Sequence, residues 1–134
     1  MPSPPRTRIV GVGHPDRGDD AAGGMVAAAL QARRPDLDVC ACPDALALLE
    51  LTTDVDIVVI IDAICSDEPP GTVIRAVDPD VCEMPRTSQS THGLGVGEAV
   101  ALARATHSSA PVMHVVGIVG ARFDLGAPPS ADVC

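Results

Sequence analysis

Residues 11–20 read Gly11-Val12-Gly13-His14-Pro15-Asp16-Arg17-Gly18-Asp19-Asp20, and the segments on either side of this stretch indicate the fold. The preceding residues, Thr7–Val10, form a short β-branched run that is typical of a strand. The following residues, Ala22–Arg33, are rich in alanine and leucine and predict a helix. A strand, a glycine-containing turn and a helix form the first half of a βαβ unit, which is the building block of parallel sheets.

Glycine-rich turns between a strand and a helix often bind phosphate, and two such motifs can be tested here. The dinucleotide-binding motif Gly-x-Gly-x-x-Gly fails because Asp16 occupies the third glycine position. The spacing of a P-loop is met by Gly13 and Gly18, but Asp19 and Asp20 stand where lysine and serine or threonine are required. Carboxylates at a helix N-terminus satisfy the helix dipole and repel phosphate. The loop is therefore expected to hold a cation or to cap the helix, which disfavours a nucleotide-binding domain.

The rest of the chain alternates between aliphatic runs and polar connections, as expected of one α/β domain over residues 1–134. Ile57–Ile61 is an unbroken aliphatic run that predicts a strand buried on both faces, with Asp62 at its end. Further strands are predicted at Leu37–Cys42, Thr72–Val77 and Pro111–Ile118, and further helices at Pro43–Leu51 and Leu94–Ala105.

The predicted fold is a three-layer α/β sandwich, in which a twisted and mostly parallel sheet of about five strands carries helices on both faces. Thr72–Val77 is expected to be antiparallel at the edge of this sheet. Residues 1–6 contain three prolines and predict a flexible tail, and residues 78–90 predict a long irregular connection.

Composition excludes several classes of function. The net charge is −9, from 18 acidic and 9 basic residues, which argues against nucleic-acid binding. The longest purely aliphatic run is too short to cross a membrane, and the N-terminus has no apolar signal segment. Five cysteines without metal-finger spacing favour a location in the reducing cytoplasm. Separately, the protein is expected to be a monomer.

Three segments carry a more specific signal when they are taken together. They are the glycine loop with Asp19-Asp20 and Gly23, the stretch Ile60-Ile61-Asp62-Ala63, and the stretch Ser90-Thr91-His92-Gly93-Leu94-Gly95. In order and approximate spacing they resemble the motifs of the hydrogenase maturation endopeptidases, which trim the C-terminus of the large subunit of nickel-iron hydrogenases. The resemblance runs from about residue 7 to about residue 126.

The resemblance implies a set of site residues. The acidic residue, the aspartate and the histidine that bind metal in the family match Asp20, Asp62 and His92, which are expected to be the catalytic and metal-binding residues. All three are predicted at the carboxyl edge of a parallel sheet, where ligands bind in open α/β folds. Two carboxylates and one imidazole suit a borderline divalent ion such as nickel.

The resemblance also implies the substrate. The family removes a C-terminal peptide from the large-subunit precursor of a nickel-iron hydrogenase, and cuts only after that precursor has been loaded with nickel. The metal is therefore expected to arrive with the substrate protein.

The chain departs from the family pattern in two ways. His14 stands where the family usually has asparagine, and it could be an extra ligand or could hydrogen-bond the loop. The C-terminal helix that covers one sheet face in the family is not apparent after the last predicted strand. The missing helix could mean that the chain is truncated or that the sheet face is exposed.

Other interpretations of the same residues remain open. Asp19 or Asp20 could simply cap the helix, Asp62 could be a turn former, and His92 could be a hydrogen-bonded loop histidine. The alternative function is a non-catalytic or truncated metal-dependent binding module for a metallated partner protein.

Overall fold

The computed structural model describes residues 3–77, 96–106 and 110–134, and within these ranges the chain forms a five-stranded sheet. In chain order the elements are β1 (Thr7–Val12), a first 3-10 helix (Gly18–Ala21), α1 (Ala22–Arg33), β2 (Asp38–Cys42), α2 (Ala45–Leu48), a second 3-10 helix (Leu49–Thr52), β3 (Ile57–Ile64), β4 (Val73–Val77), α3 (Val96–Thr106) and β5 (Val112–Val119).

The strand order is β2-β1-β3-β5-β4, with β4 antiparallel to β5 and all other pairs parallel. The predicted α/β fold, with a central β3 and an antiparallel edge strand β4, is therefore confirmed. From β1 the chain passes to β2 on one side and then to β3 on the other side of β1. In open α/β sheets, ligands bind beyond the carboxyl ends of the strands where the order reverses in this way, which here are the ends of β1 and β3.

Aliphatic side chains fill both sides of the sheet, because successive residues of a strand point to opposite faces. On one face, α2 and α3 pack against the central strands; the fully buried side chains there include Val10, Leu48, Val58, Ile60, Val96, Val100 and Met113. On the other face, α1 packs against β1, β2 and β3; this cluster includes Ile9, Ala22, Val26, Leu30, Ile61, Ala63 and Ile118. Helices on both faces were predicted, and the structure confirms them.

Two glycines let α1 lie directly on the strands. A Cβ atom at Gly23 would be 2.5 Å from the carbonyl oxygen of Val12 and would also overlap the carbonyl oxygen of Ile61. A Cβ atom at Gly11 would overlap the carbonyl oxygen of Gly23. The helix therefore approaches β1 and β3 more closely than any side chain would allow. This contact fixes where α1 begins relative to the ends of both strands.

The structure corrects two predicted boundaries. β1 continues through Val12, and β3 continues through Ile64 instead of ending before Asp62. Asp62 is therefore inside a strand, because residues 62–64 pair with residues 117–119 of the equally long β5. The alternative interpretation of Asp62 as a turn former is wrong, because Asp62 lies within β3.

The short predicted helix at Pro43–Leu51 is present as α2 and the second 3-10 helix. Asp44 begins it, since its Oδ1 accepts a hydrogen bond of 2.9 Å from the amide of Ala47. The predicted connection at 78–90 and the start of the predicted helix at Leu94 lie outside the described residues.

After β5, residues 120–134 form turns, and no helix occurs in this range. Phe123 and Val133 from this segment pack on the same apolar cluster as α1. The segment therefore covers part of the face that α1 leaves open. In the described part of the chain, no helix is long and apolar enough to cross a membrane.

Candidate active site

Asp20 lies at the carboxyl end of β1, within the first 3-10 helix. Its side chain is mostly buried, and its Oδ2 accepts a hydrogen bond of 2.8 Å from the backbone amide of His14. Gly13 lies directly behind it, because a Cβ atom at Gly13 would overlap the carbonyl oxygen of Asp20. The glycine loop therefore folds back on itself and holds this carboxylate against the end of β1.

Asp62 lies on β3, the neighbour of β1, and is almost completely buried. Its partner in β5 is Gly117, so no side chain faces it from the adjacent strand. Burial raises the pKa of Asp62 well above its ordinary value, and the negative charge of Asp20 raises it further. A hydrogen bond from the backbone amide of Ala63 acts in the opposite direction.

Asp20 follows β1 and Asp62 lies near the carboxyl end of the neighbouring strand β3, and the charge of Asp20 is one cause of the raised pKa of Asp62. Two poorly hydrated carboxylates that share a site repel each other, so one of them keeps a proton unless a cation lies between them. A buried carboxylate with a raised pKa near the carboxyl edge of an α/β sheet, such as Asp62, is typical of functional sites. The structure thus brings together two of the three residues that the sequence predicted.

His92, the third predicted residue, lies outside the described residues. Its position relative to the two carboxylates stays a prediction. Within the described ranges, no group of three histidine, cysteine, aspartate or glutamate side chains is arranged to hold a metal ion.

The helix-capping interpretation of the Asp-Asp pair is wrong. The residues that precede the first 3-10 helix and α1 are Arg17 and Ala21, and neither helix has a side-chain cap. Asp20 accepts a bond from the preceding loop, as described above. Asp19 is fully buried and accepts bonds from the segment that follows β5.

His14 hydrogen-bonds the loop, which was one of its two predicted roles. Its backbone amide donates to Asp20, and its Nδ1 accepts a bond of 3.0 Å from the amide of Asp16. A neutral histidine whose Nδ1 accepts a bond carries its proton on Nε2. In this arrangement the imidazole presents a donor, not a metal-binding lone pair.

Cys42, at the end of β2, is a neighbour of the site that the sequence did not single out. Its pKa is raised to about 11, chiefly by burial and then by nearby groups that include Cys40, Asp44 and Asp62. Its thiol is therefore neutral at physiological pH and packs as a small apolar group. The sequence predicted a strand at Leu37–Cys42, and nothing in it indicated that the side chain of Cys42 lies near Asp62.

Comparison with known proteins gives the family. The family model of the HycI hydrogenase maturation proteases matches residues 41–125, which is more than half of the chain and includes Asp62. No curated protein sequence matches the chain.

Solved structures of this family share the fold. The HycI maturation protease of Thermococcus kodakarensis KOD1 is 26% identical with a TM-score of 0.69, over 96% of this chain and 82% of that one. The HybD endopeptidase of E. coli is 24% identical with a TM-score of 0.74, over the same shares of the two chains. Together with the match to the family model, these similarities show that the chain belongs to the hydrogenase maturation proteases.

Proposed function

We propose that this protein is an endopeptidase that removes a C-terminal peptide from the nickel-loaded large-subunit precursor of a nickel-iron hydrogenase. Asp20, Asp62 and His92 recognise the metal in this proposal. The observation that carries it is the buried pair of Asp20 and Asp62 at the carboxyl ends of β1 and β3.

The electrostatics of this pair suit a divalent cation. Burial and the neighbouring charge both make the ionised form of Asp62 unfavourable, as its raised pKa reports. A divalent cation between the carboxylates would turn this repulsion into attraction. Two carboxylate oxygens with an imidazole nitrogen also form a donor set that borderline ions such as nickel accept.

The nickel is part of the substrate in this proposal. A metal already held by the precursor leaves only a few coordination positions open, so three protein ligands are enough to recognise it. Binding then reports whether the precursor has been loaded, because an empty precursor offers nothing to neutralise the carboxylate pair. A bound divalent ion can polarise a peptide carbonyl and lower the pKa of a water molecule.

The chain's own residues orient the substrate around this pair. The glycine loop fixes Asp20 through the amide of His14, and β3 fixes Asp62 within a rigid strand. The proton on Nε2 of His14 is available to donate to a carbonyl of the bound peptide. This donor could replace the asparagine amide that the family usually has at this position.

A processing assay tests the proposal. Nickel-loaded and nickel-free precursor are each incubated with the protein, and the intact mass of the precursor is followed. Loss of a C-terminal peptide is expected only from the loaded precursor. Asp62→Ala and His92→Ala should each abolish this loss, while Glu98→Ala, an exposed carboxylate on α3, should process normally.

Three outcomes would contradict the proposal. Normal cleavage by both site variants would remove these residues from the mechanism. A stable complex with loaded precursor that is never cleaved would instead favour the metal-dependent binding module. Equal cleavage of loaded and nickel-free precursor would show that the metal is not recognised.

A further inference from the structure

The carboxylate of Asp19 joins the glycine loop to the segment that follows β5. Its Oδ2 accepts bonds from the backbone amides of Ala121 and Arg122, at 2.7 and 3.0 Å. Its Oδ1 accepts a bond of 2.6 Å from the amide of Ser130, and the Ser130 hydroxyl lies 3.0 and 2.9 Å from the two oxygens. The side chain is fully buried, so these donors replace all of its hydration.

Backbone contacts strengthen the same junction. The amide of Asp19 donates to the carbonyl of Arg122 at 2.7 Å, and the amide of Gly18 donates to the carbonyl of Ala127 at 3.0 Å. In the other direction, the amide of Gly126 donates to the carbonyl of Asp16 at 2.6 Å. The loop and the later segment therefore bond to each other at several points along their length.

There is little free space at the junction. Gly18 has a φ of +56°, and a Cβ atom there would overlap the carbonyl oxygen of Arg122. A Cβ atom at Gly120 would lie 2.8 Å from the Cβ atom of Asp19. The 3-10 helix thus rests directly on the later segment, and any movement of one displaces the other.

The residue after Asp19 is Asp20, whose carboxylate is also held by the amide of His14. The 3-10 helix is therefore held on both sides, through Asp19 by the segment after β5 and through Asp20 by the glycine loop. The 3-10 helix continues directly into α1, and because a single turn makes few bonds of its own, these contacts together with α1 set its orientation.

We propose that Asp19 is a positioning residue of the active site, which fastens the segment 121–130 to the glycine loop and so aims Asp20 toward Asp62. Its effect on cleavage rests on the function proposed above, whereas its effect on the position of Asp20 can be measured without cleavage. The turns after β5 are accordingly part of the scaffold of the site.

The test compares Asp19→Asn with a matched core variant. An asparagine turns its NH2 group toward at least one of the backbone amides that now donate to Asp19, so the junction loses bonds whichever way the amide points. Val58→Ala removes buried volume near the start of β3, at the other end of the strand from the site. Conditions are chosen so that the two variants have equal global stability.

Hydrogen exchange of the His14 amide gives the first readout, because this amide donates to Asp20. At equal global stability, Asp19→Asn should lower its protection by about tenfold or more relative to Val58→Ala. Ser130→Ala removes the hydroxyl donor and keeps the backbone amide, so it should lower the protection of the His14 amide by a smaller factor. Equal protection in Asp19→Asn and Val58→Ala would overturn the proposal.

Cleavage kinetics give the second readout. Per folded molecule, Asp19→Asn should lower kcat by about tenfold or more with little change in KM, while Val58→Ala keeps both near their original values. A kcat equal to that of Val58→Ala would also overturn the proposal. If the unmodified protein cleaves no precursor, the proposed function fails, and the exchange of His14 still decides whether Asp19 positions Asp20.

Discussion

Adding one methyl group at Gly23 tests how the active site is assembled. Gly23 is the second residue of α1, and it lies against the backbones of β1 and β3. A Cβ atom at the next residue, Gly24, would meet no other described part of the chain within 4 Å, apart from its neighbours and the backbone of its own helix. Gly23→Ala and Gly24→Ala therefore make the same chemical change at neighbouring positions of one helix, one in contact with the sheet and one in open space.

The expected cost follows from the geometry. A Cβ atom at Gly23 would lie 2.5 Å from the carbonyl oxygen of Val12 and still nearer to that of Ile61, and an ordinary contact needs about 3.4 Å, so α1 must withdraw by at least about 0.9 Å. Overpacking costs about 1–3 kcal/mol, and the upper end applies because backbone atoms cannot rotate away. The helix preference of alanine over glycine returns about 0.5–1 kcal/mol. We expect Gly23→Ala to lower the free energy of unfolding by about 2 kcal/mol and Gly24→Ala to raise it by about 0.5–1 kcal/mol.

Thermal unfolding measures the difference. For a chain of this size, about 1 kcal/mol corresponds to roughly 3–5 °C in Tm, so the two variants should shift Tm in opposite directions. Withdrawal of α1 also moves Asp20 away from Asp62, and a displacement of about 1 Å can cost about 100-fold in rate. If Gly23→Ala were as stable and as active as Gly24→Ala, the inferred close packing of α1 on the strands would be refuted.

The remaining predictions concern the buried groups around the site. Asp62→Asn should raise the free energy of unfolding at neutral pH by about 0.5–2 kcal/mol while abolishing processing, because it removes a charge that burial and Asp20 both disfavour. Because the native pKa of Asp62 is above its unfolded value, the native state keeps a proton that the unfolded chain releases, and stability falls as pH rises from about 4 through the native pKa. In denaturant titrations, the increase in the free energy of unfolding caused by Asp62→Asn should therefore grow with pH over that window. An increase that does not depend on pH would contradict a raised native pKa of Asp62. Cys42, with its pKa raised to about 11, should react with iodoacetamide more than about tenfold slower than the exposed Cys134, and equal labelling rates by mass spectrometry would be inconsistent with its burial.

Much of the fold was predictable because its signals are local. The aliphatic run at Ile57–Ile61 predicts a strand buried on both faces, as in the centre of a parallel sheet. The glycine-containing turn between the first strand and the first helix predicted the start of a βαβ unit, and the structure contains it as β1 and α1. Because Asp20 follows the first strand and Asp62 follows the predicted central run, both were expected at the carboxyl edge of one parallel sheet.

The predictions that failed involve buried charge. A carboxylate is costly inside a strand, so Asp62 was expected to end β3; the structure instead continues the strand through it. At functional sites, proteins often violate the sequence preferences that favour stable structure, because the chemistry requires residues that lower stability. The capping interpretation failed for a related reason, because the helices begin at other residues and the two carboxylates bond elsewhere.

The role of Asp19 could not have been predicted from its neighbours in the sequence. Its partners are backbone amides and one serine more than a hundred residues away, and an amide donor looks the same at every position of a sequence. Only the folded chain shows which of them face the carboxylate. The same limitation applies to Cys42, whose nearness to Asp62 depends on the alignment of β2 with β1 and of β1 with β3.

The bond between Asp19 and Ser130 spans 111 positions of the chain, and this has a consequence for folding. β5 is inserted between β3 and β4, so the sheet cannot close until residues 112–119 have been synthesised. Contacts of such long range form late, because the entropy of closing the intervening loop must be lost first. During synthesis on the ribosome, a nascent chain that has already made its glycine loop still lacks the donors that hold it. Proteolytic competence is therefore expected to be among the last properties that the emerging chain acquires.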